Sequence, residues 1–356
     1  MAIIKNYAIW NNKGGVGKST ITYHIATRYA ETHPDETILV IDACPQANIS
    51  MMLLGGSNGE KEVLSLVGQS PSKTIAGYLG ETLAATAGQP LPDSKSFVSQ
   101  VSTFNKEMPD NLYLLCGDGS LELMAPLLQY MSNQPISSAT QRSPWMKVRT
   151  MLRDFIHHFD EASDDKDLAV FIDTNPSFSI YTEMAISAAD RLICPINADD
   201  SSRVSATAMV SLLYGSTPPH PLYSQYTYAA KAVAYGLSVP RIHIIVGNRL
   251  TQYDGAAKAF AAMSDAASET FYRIFKNHQS YFTNRPLSIY DKDMFKDQFT
   301  QLLRDFNSCG VTTTHLGKLL SQMKQGNYQV HTETILIKRE RVAECLSAID
   351  DLLSKL

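Results

Sequence analysis

Short apolar runs alternate along this chain with longer stretches in which apolar residues recur every three or four positions. That alternation predicts strands followed by helices. Ile3, Ile4, Tyr7, Ala8, Ile9 and Trp10 form the first run. A helix from Ser19 to about Thr32 is expected next, with Ile21, Ile25, Ala26 and Tyr29 on one stripe and His33-Pro34-Asp35 closing it. Thr37-Ile38-Leu39-Val40-Ile41 is a continuous β-branched run, as in a strand covered on both faces, and it delivers Asp42 at its carboxyl end. Leu112 to Cys116 predicts another strand, with a helix from Ser120. Trp145 to Phe159 reads as a helix, with Trp145, Val148, Leu152, Phe155 and Phe159 on one stripe. Leu168 to Ile172 leads into Asp173, a helix is expected over 180–189, and Arg191–Ile196 and Ile242–Val246 read as further strands. Such alternation demands crossover helices. The expected class is α/β, a doubly wound, mostly parallel sheet with helices on both faces.

Two stretches interrupt the pattern. Gly55-Gly56-Ser57, Pro71, Pro90 and Pro92 punctuate residues 55–110, which read as an insertion with short helices near Val63–Val67 and Thr74–Leu83, either a partner contact or a loosely packed surface addition. Pro218-Pro219-His220-Pro221 and a tyrosine-rich run mark a second insertion at 215–240. One domain over 1–356 is expected, closed by a helix at 339–356 whose Val342, Leu346, Ile349, Leu353 and Leu356 repeat at helical spacing.

The chemistry concentrates where the first run ends, at Lys13-Gly14-Gly15-Val16-Gly17-Lys18-Ser19-Thr20. Strand, glycine loop and helix start together aim backbone N–H groups and a helix N-terminus at phosphate. Glycine lets the backbone approach an anion without an intervening Cβ. Lys18 adds a cation for the outer phosphates, and the Ser19 hydroxyl suits Mg²⁺. Asp173, at the end of a buried-type strand, is placed to hold Mg²⁺ or its water shell. Asp42 is an acidic acceptor suited to the same neighbourhood, or a turn cap.

The loop departs from G-x-x-x-x-G-K-[ST] by carrying Asn12 where glycine is usual and Lys13 ahead of the glycine pair. It thereby resembles the deviant Walker A motif, K-G-G-x-G-K-[ST], of the ParA/MinD ATPases. Asp42-Ala43-Cys44-Pro45-Gln46 is similar to that family's D-x-D-P-Q segment, with Cys44 in place of the second acid. Asp173-Thr174-Asn175-Pro176-Ser177 is similar to its D-T-P-P-S turn, with Asn175 for the first proline. The resemblance implies that Lys13 reaches the nucleotide of a second subunit and that Asp42 positions the attacking water. It implies that Asn248, at the end of a later strand, reads the adenine, although a plain turn asparagine fits the same position. It further implies an ATPase using ATP and Mg²⁺, an ATP-dependent homodimer, nonspecific DNA binding and a ParB-like stimulator. The implied task is DNA partition in the cytoplasm, with nucleoid association when ATP is bound.

Composition narrows this picture. The 356 residues carry 44 % hydrophobic and 19 % charged residues, the profile of a globular protein with a substantial core. A net charge of −4 confines any DNA contact to a local basic patch. The candidates are Arg273, Lys276, Arg285, Lys292, Lys296, Arg304, Lys318 and Lys324. Asp291, Asp293, Asp297 and Asp305 interrupt the set, as on an ordinary solvated face. Five dispersed cysteines without C-x-x-C argue against zinc, disulfides and an iron–sulfur carrier role, and fit a reducing compartment. His157 and His158 lack a second cluster at metal spacing, and Asp199-Asp200 reads as a helix cap. No secretory leader is expected before the first strand, and no apolar run approaches the ~20 residues of a membrane span. The final helix carries Glu344, Asp350 and Asp351 and no aromatic anchor, so a membrane-surface role is not expected. The competing readings are a MinD-like membrane-positioning ATPase, an ATPase positioning another cargo, and a P-loop kinase.

Overall fold

The computed structural model describes residues 4–85, 90–135, 142–161, 166–197, 201–215, 218–250, 268–304, 306 and 308–356. The strands are β1 (Ile4–Ile9), β2 (Thr37–Ala43), β3 (Val98–Gln100), β4 (Leu112–Leu115), β5 (Leu168–Thr174), β6 (Arg191–Asn197), β7 (Arg241–Leu250) and β8 (Thr300–Arg304), with a separate hairpin β9 (Gly326–Val330) and β10 (Glu333–Ile337). The helices are α1 (Lys18–Thr32), α2 (Asn48–Leu53), α3 (Gly59–Val67), α4 (Ile75–Ala84), α5 (Ser120–Ser132), α6 (Pro144–Glu161), α7 (Ile180–Ala188), α8 (Ser201–Tyr214), α9 (Tyr228–Tyr235), α10 (268–277), α11 (Lys292–Phe299), α12 (Cys309–Leu316) and α13 (Arg339–Leu353).

Eight strands form one sheet in the order β3-β4-β2-β5-β1-β6-β7-β8. Only the β3–β4 edge pair is antiparallel. The expected doubly wound, mostly parallel architecture is therefore what the chain adopts. The reason is visible in the strands. Along β1, Ala8 and Trp10 join the core on one face while Tyr7 and Ile9 join the core on the other. Leu39 and Ile41 of β2 divide from Ile38 and Val40 in the same way. A side-chain period of two with both faces covered demands apolar residues at every position. One face is packed by α4 to α11, the other by α1, α2, α3, α12 and α13.

Residues 55–110 depart from the expected loose surface addition. Ile75, Tyr78 and Leu79 of α4 are fully buried, as are Leu66 and Val101, and β3 extends the sheet through Val98↔Leu115. The glycines, prolines and serines there mark turns between short packed elements rather than poor packing. In the second interrupted stretch Leu222, Tyr223 and Tyr226 are exposed, yet Tyr228 is buried and bonds Ser187. In α13 the buried side is Val342, Cys345, Ile349 and Leu352, with Leu346 and Leu353 half-buried beside it. Among the described residues no helix is long and apolar enough to cross a membrane.

Candidate functional site

At the carboxyl edge of the sheet, β1 runs through Trp10 into the glycine loop. The loop is braced from below. Asn11 donates to the Pro195 carbonyl at 2.7 Å and accepts from the Lys13 N–H at 2.9 Å and from Ser205 Oγ at 2.6 Å. Ser205 also reaches Asn12, so the asparagine that replaces the usual glycine is held by α8. Gly14 and Gly15 are exposed, and a Cβ built on either would meet nothing within 4 Å. Val16 is buried. Gly17 sits at φ 86° and caps α1 in a conformation that suits glycine. A Cβ on Gly17 would fall 2.2 Å from Nδ2 of Asn248.

Lys18 opens α1 with its ammonium turned under the loop, toward the carbonyls of Lys13 at 3.1 Å and Asn11 at 3.4 Å. Burial lowers its pKa, partly offset by Asp173. Ser19 Oγ donates to Asp173 at 2.6 Å, and Thr22 on the next turn reaches the other oxygen at 3.4 Å. Thr20 follows, half-buried. Thr174 ties β5 to the Ile9 carbonyl at 2.7 Å.

Asp42 and Asp173 are paired residues of β2 and β5, both fully buried. Asp42 accepts from the N–H of Cys44 at 3.1 Å and from the N–H and hydroxyl of Ser50 at 3.1 and 2.7 Å. Ser50 in turn accepts from the Gly117 N–H at 2.9 Å. A Cβ on Gly117 would stand 2.8 Å from the Asp42 carboxylate, so the turn after β4 needs glycine there for this acid to fit. Burial raises the pKa of both acids, and for Asp173 the neighbouring charge of Asp42 adds to it. Cys44, the departure from the family pattern, is buried, and its thiol is pushed up to about 12 by burial and then by Asp42. It therefore brings no third negative charge to this edge.

The sequence-derived residues thus fall into a gathered set and an outlying one. Lys13, Gly14 to Thr20, Asp42, Asp173 and Asn248 converge on one edge. Lys13 bonds Ser201 Oγ, at the start of α8, at 2.5 Å. Asn248, 7 % exposed, donates to the Val16 carbonyl at 2.9 Å, bracing the loop from β7. The basic residues do not share one face. Arg273, Lys276, Lys292 and Lys296 cluster on α10 and α11, with Glu269 pairing Arg273 and Lys292. Arg285 is spent on the His243 carbonyl and the Phe299 ring. Lys318 and Lys324 belong to the opposite face, where the Lys318 carbonyl accepts from Tyr23 on α1. Asp199, Asp200 and Asp305 lie outside the described residues. Sequence reasoning missed Ser50, Gly117, Ser201 and Ser205. Only Ser50 had a signal, as the hydroxyl two residues beyond Asn48 in the segment that follows Asp42.

This edge fits a nucleotide's phosphates and a hard divalent cation. It offers an open glycine cradle, a buried ammonium beneath it, and a hydroxyl and carboxylate 2.6 Å apart as oxygen donors.

Comparison with known proteins agrees. A family model described as an AAA domain (AAA_31) matches residues 4–213. No curated protein matches the chain in sequence. Among solved structures the chain is similar to pNOB8 ParA at 16 % identity and TM-score 0.56, covering 99 % of this chain and 98 % of that one. An ATP complex of Cyanothece McdA with an aspartate-to-alanine substitution matches at 15 % identity and TM-score 0.54, covering 99 % and 97 %. A plasmid partition protein from Borrelia burgdorferi matches at 16 % identity and TM-score 0.50 over the whole of both chains. At such identities these likenesses speak for the fold. The family match spans more than half of the chain, which therefore belongs to the AAA_31 family of AAA domains, of ParA/MinD type.

Proposed function

We propose that this chain is a ParA-like ATPase, a single domain over 1–356, that drives DNA partition as an ATP-dependent homodimer. The observation that carries the reading is the convergence of Lys18, Ser19, Asp173 and Asp42 on one strand edge, below an open glycine loop. Bound there, ATP with Mg²⁺ supplies a hydrolysable phosphoanhydride and a divalent charge. Lys18 neutralises phosphate oxygens from beneath the loop. Ser19 and Asp173 are the oxygen donors for the cation. Asp42, fixed by Ser50 and Cys44, orients the attacking water. Asn248 braces the loop at Val16 beside the position where the family places the base. Lys13 leaves Ser201 and reaches into the pocket of a second subunit.

Arg273, Lys276, Lys292 and Lys296 offer the basic surface for DNA in this reading, and a ParB-like protein stimulates hydrolysis. The protein works in the cytoplasm and associates with the nucleoid while ATP is bound. Membrane recruitment through α13 is disfavoured, because the apolar side of that helix is already spent on the core.

DNA binding measured with ATP, ADP and no nucleotide across a salt series tests the reading. ATP-dependent binding that falls steeply with salt is expected. In parallel, Lys13→Ala should keep ATP binding and lose ATP-driven dimers in light scattering. Nucleotide-independent DNA binding, or unchanged dimers in Lys13→Ala, contradicts it.

A further inference from the structure

Away from the phosphate edge, α4, α5, α6 and the segments beside them line a half-open cleft of about 400 Å³, within the roughly 300–1,000 Å³ of small-molecule sites. Its walls are mostly apolar: Leu83, Leu91, Met131, Val148 and Met151. Set into them is Tyr78, fully buried, whose hydroxyl makes no well-aligned hydrogen bond among the described residues, although the Thr82 side chain lies near it. Edge-to-face contacts with Phe155 at 4.7 Å and Phe97 at 5.6 Å hold the ring. A fixed, dry hydroxyl costs free energy unless something accepts from it. Burial pushes its pKa up to about 12, so it remains a donor at neutral pH. At the cleft's rim stand two cations, Arg142 and Lys147, and one carboxylate, Asp154, which lies 3.4 Å from Arg142. The rim therefore keeps one positive charge in excess.

We propose that this cleft is a binding site for a small apolar monocarboxylate, a ligand with a hydrocarbon or aromatic body and one anionic group. The body lies against Leu83, Met131, Val148 and Met151. An oxygen of the ligand accepts from Tyr78, and Arg142 and Lys147 attract its charge. None of the lining residues belongs to the phosphate edge, so binding here does not depend on the ATPase reading.

Calorimetric titration of the full chain with decanoate, below its micellar range, and with neutral decanol tests the site. Saturable decanoate binding, tighter than decanol by roughly fivefold or more, is expected. Val148→Phe fills the cleft and should abolish binding. Tyr78→Phe keeps the ring and removes the hydroxyl, so it should fold at least as stably and bind decanoate roughly fivefold more weakly. Absence of saturable decanoate binding overturns the proposal. So does equal affinity for decanol, or wild-type affinity in a folded Tyr78→Phe protein.

Discussion

At the carboxyl ends of β2 and β5, Asp42 and Asp173 stand buried in neighbouring register positions, with Lys18 offsetting part of the cost of Asp173. Toward the amino ends of β6 and β7 the same sheet sets the half-buried Arg191 and the buried His243 beside Tyr7. There Tyr7 and Arg191 both donate to the Leu356 carbonyl, at 2.7 and 3.0 Å. His243 is set between Thr283 at 3.0 Å and the Lys355 carbonyl at 2.9 Å. The Lys355 ammonium in turn caps the carbonyls of Asp297 and Thr300. The second end is closed by the chain's own backbone. The first is left with two acids whose burial raises their pKa, the condition of a site awaiting a cation and an anion together. Within one fold, what separates the two ends is how their charges are answered: the cations of the second bond the chain's own carbonyls, whereas the first leaves two buried acids beside an open glycine loop.

Lys18→Ala strikes the first end and is expected to have the largest effect. It removes the ammonium under the loop, and affinity for a fluorescent ATP analogue should fall at least about a hundredfold, or ~2.7 kcal/mol. The melting temperature without nucleotide should change little. Affinity within a few-fold of wild type would erase the contrast between the two ends.

The next effect belongs to pH. Burial, then the charges of Arg285 and Arg191, lower the pKa of His243 to about 3, and burial alone lowers that of His24 to about 4, against 6.5 in the unfolded chain. A folded pKa below the unfolded one means that the unfolded state takes up the proton first. The stabilisation is complete above pH 6.5 and drains as the pH falls toward the folded values. Each histidine should therefore cost about 2 kcal/mol between pH 6.5 and 5. Asp42 and Asp173, with raised pKa, act in the opposite direction, so the clean comparison is between variants. His243→Gln should show a shallower loss of melting temperature from pH 7 to pH 5 than wild type. Parallel slopes would mean that the closed end does not titrate.

The two ends also differ in how far the sequence disclosed them. Residues 13–20 were legible because the phosphate cradle is built from one contiguous stretch, in which each residue type has a chemical reason. Asp42 and Asp173 were legible because each closes an apolar run. The braces Gly117, Ser201 and Ser205 were not, since each reaches the site from an element that only folding brings near. Nothing in the sequence pointed to the closed end, where Tyr7 meets Arg191 and Leu356 across 184 and 349 residues of chain. The alternation of strands and helices disclosed the sheet. The apolar stretches within 55–110 disclosed short helices where α3 and α4 lie, but the turn-rich composition concealed how deeply they are buried, because breakers between short packed helices resemble breakers in a surface loop.

Tyr7→Phe probes the closed end by itself. The ring keeps its stack on Phe171 at 5.5 Å, while Arg191 and the Leu356 carbonyl each lose a partner. A loss of about 1–2 kcal/mol in denaturant unfolding is expected, with nucleotide affinity unchanged. A loss of nucleotide affinity would show that the ends are coupled through β1.

The smallest effect expected lies between the two ends, where Arg28 on α1 grips Asp350 on α13 through two bonds of 2.7 and 3.1 Å. This pair fastens the last helix to the helix that carries Lys18. Its geometry is bidentate, which favours a real contribution, yet the carboxylate is 45 % exposed, so water screens it. Asp350→Asn keeps the shape and removes the charge, and should cost about 0.5–1 kcal/mol in urea unfolding, a loss that shrinks as salt is added. The apolar side of α13, with Ile349 and Leu352 fully buried, should hold the helix in place without the ion pair. ATP affinity should therefore stay at the wild-type value. A fall in that affinity would mean that α13 sets the position of α1, and that the binding edge depends on packing at the far side of the molecule.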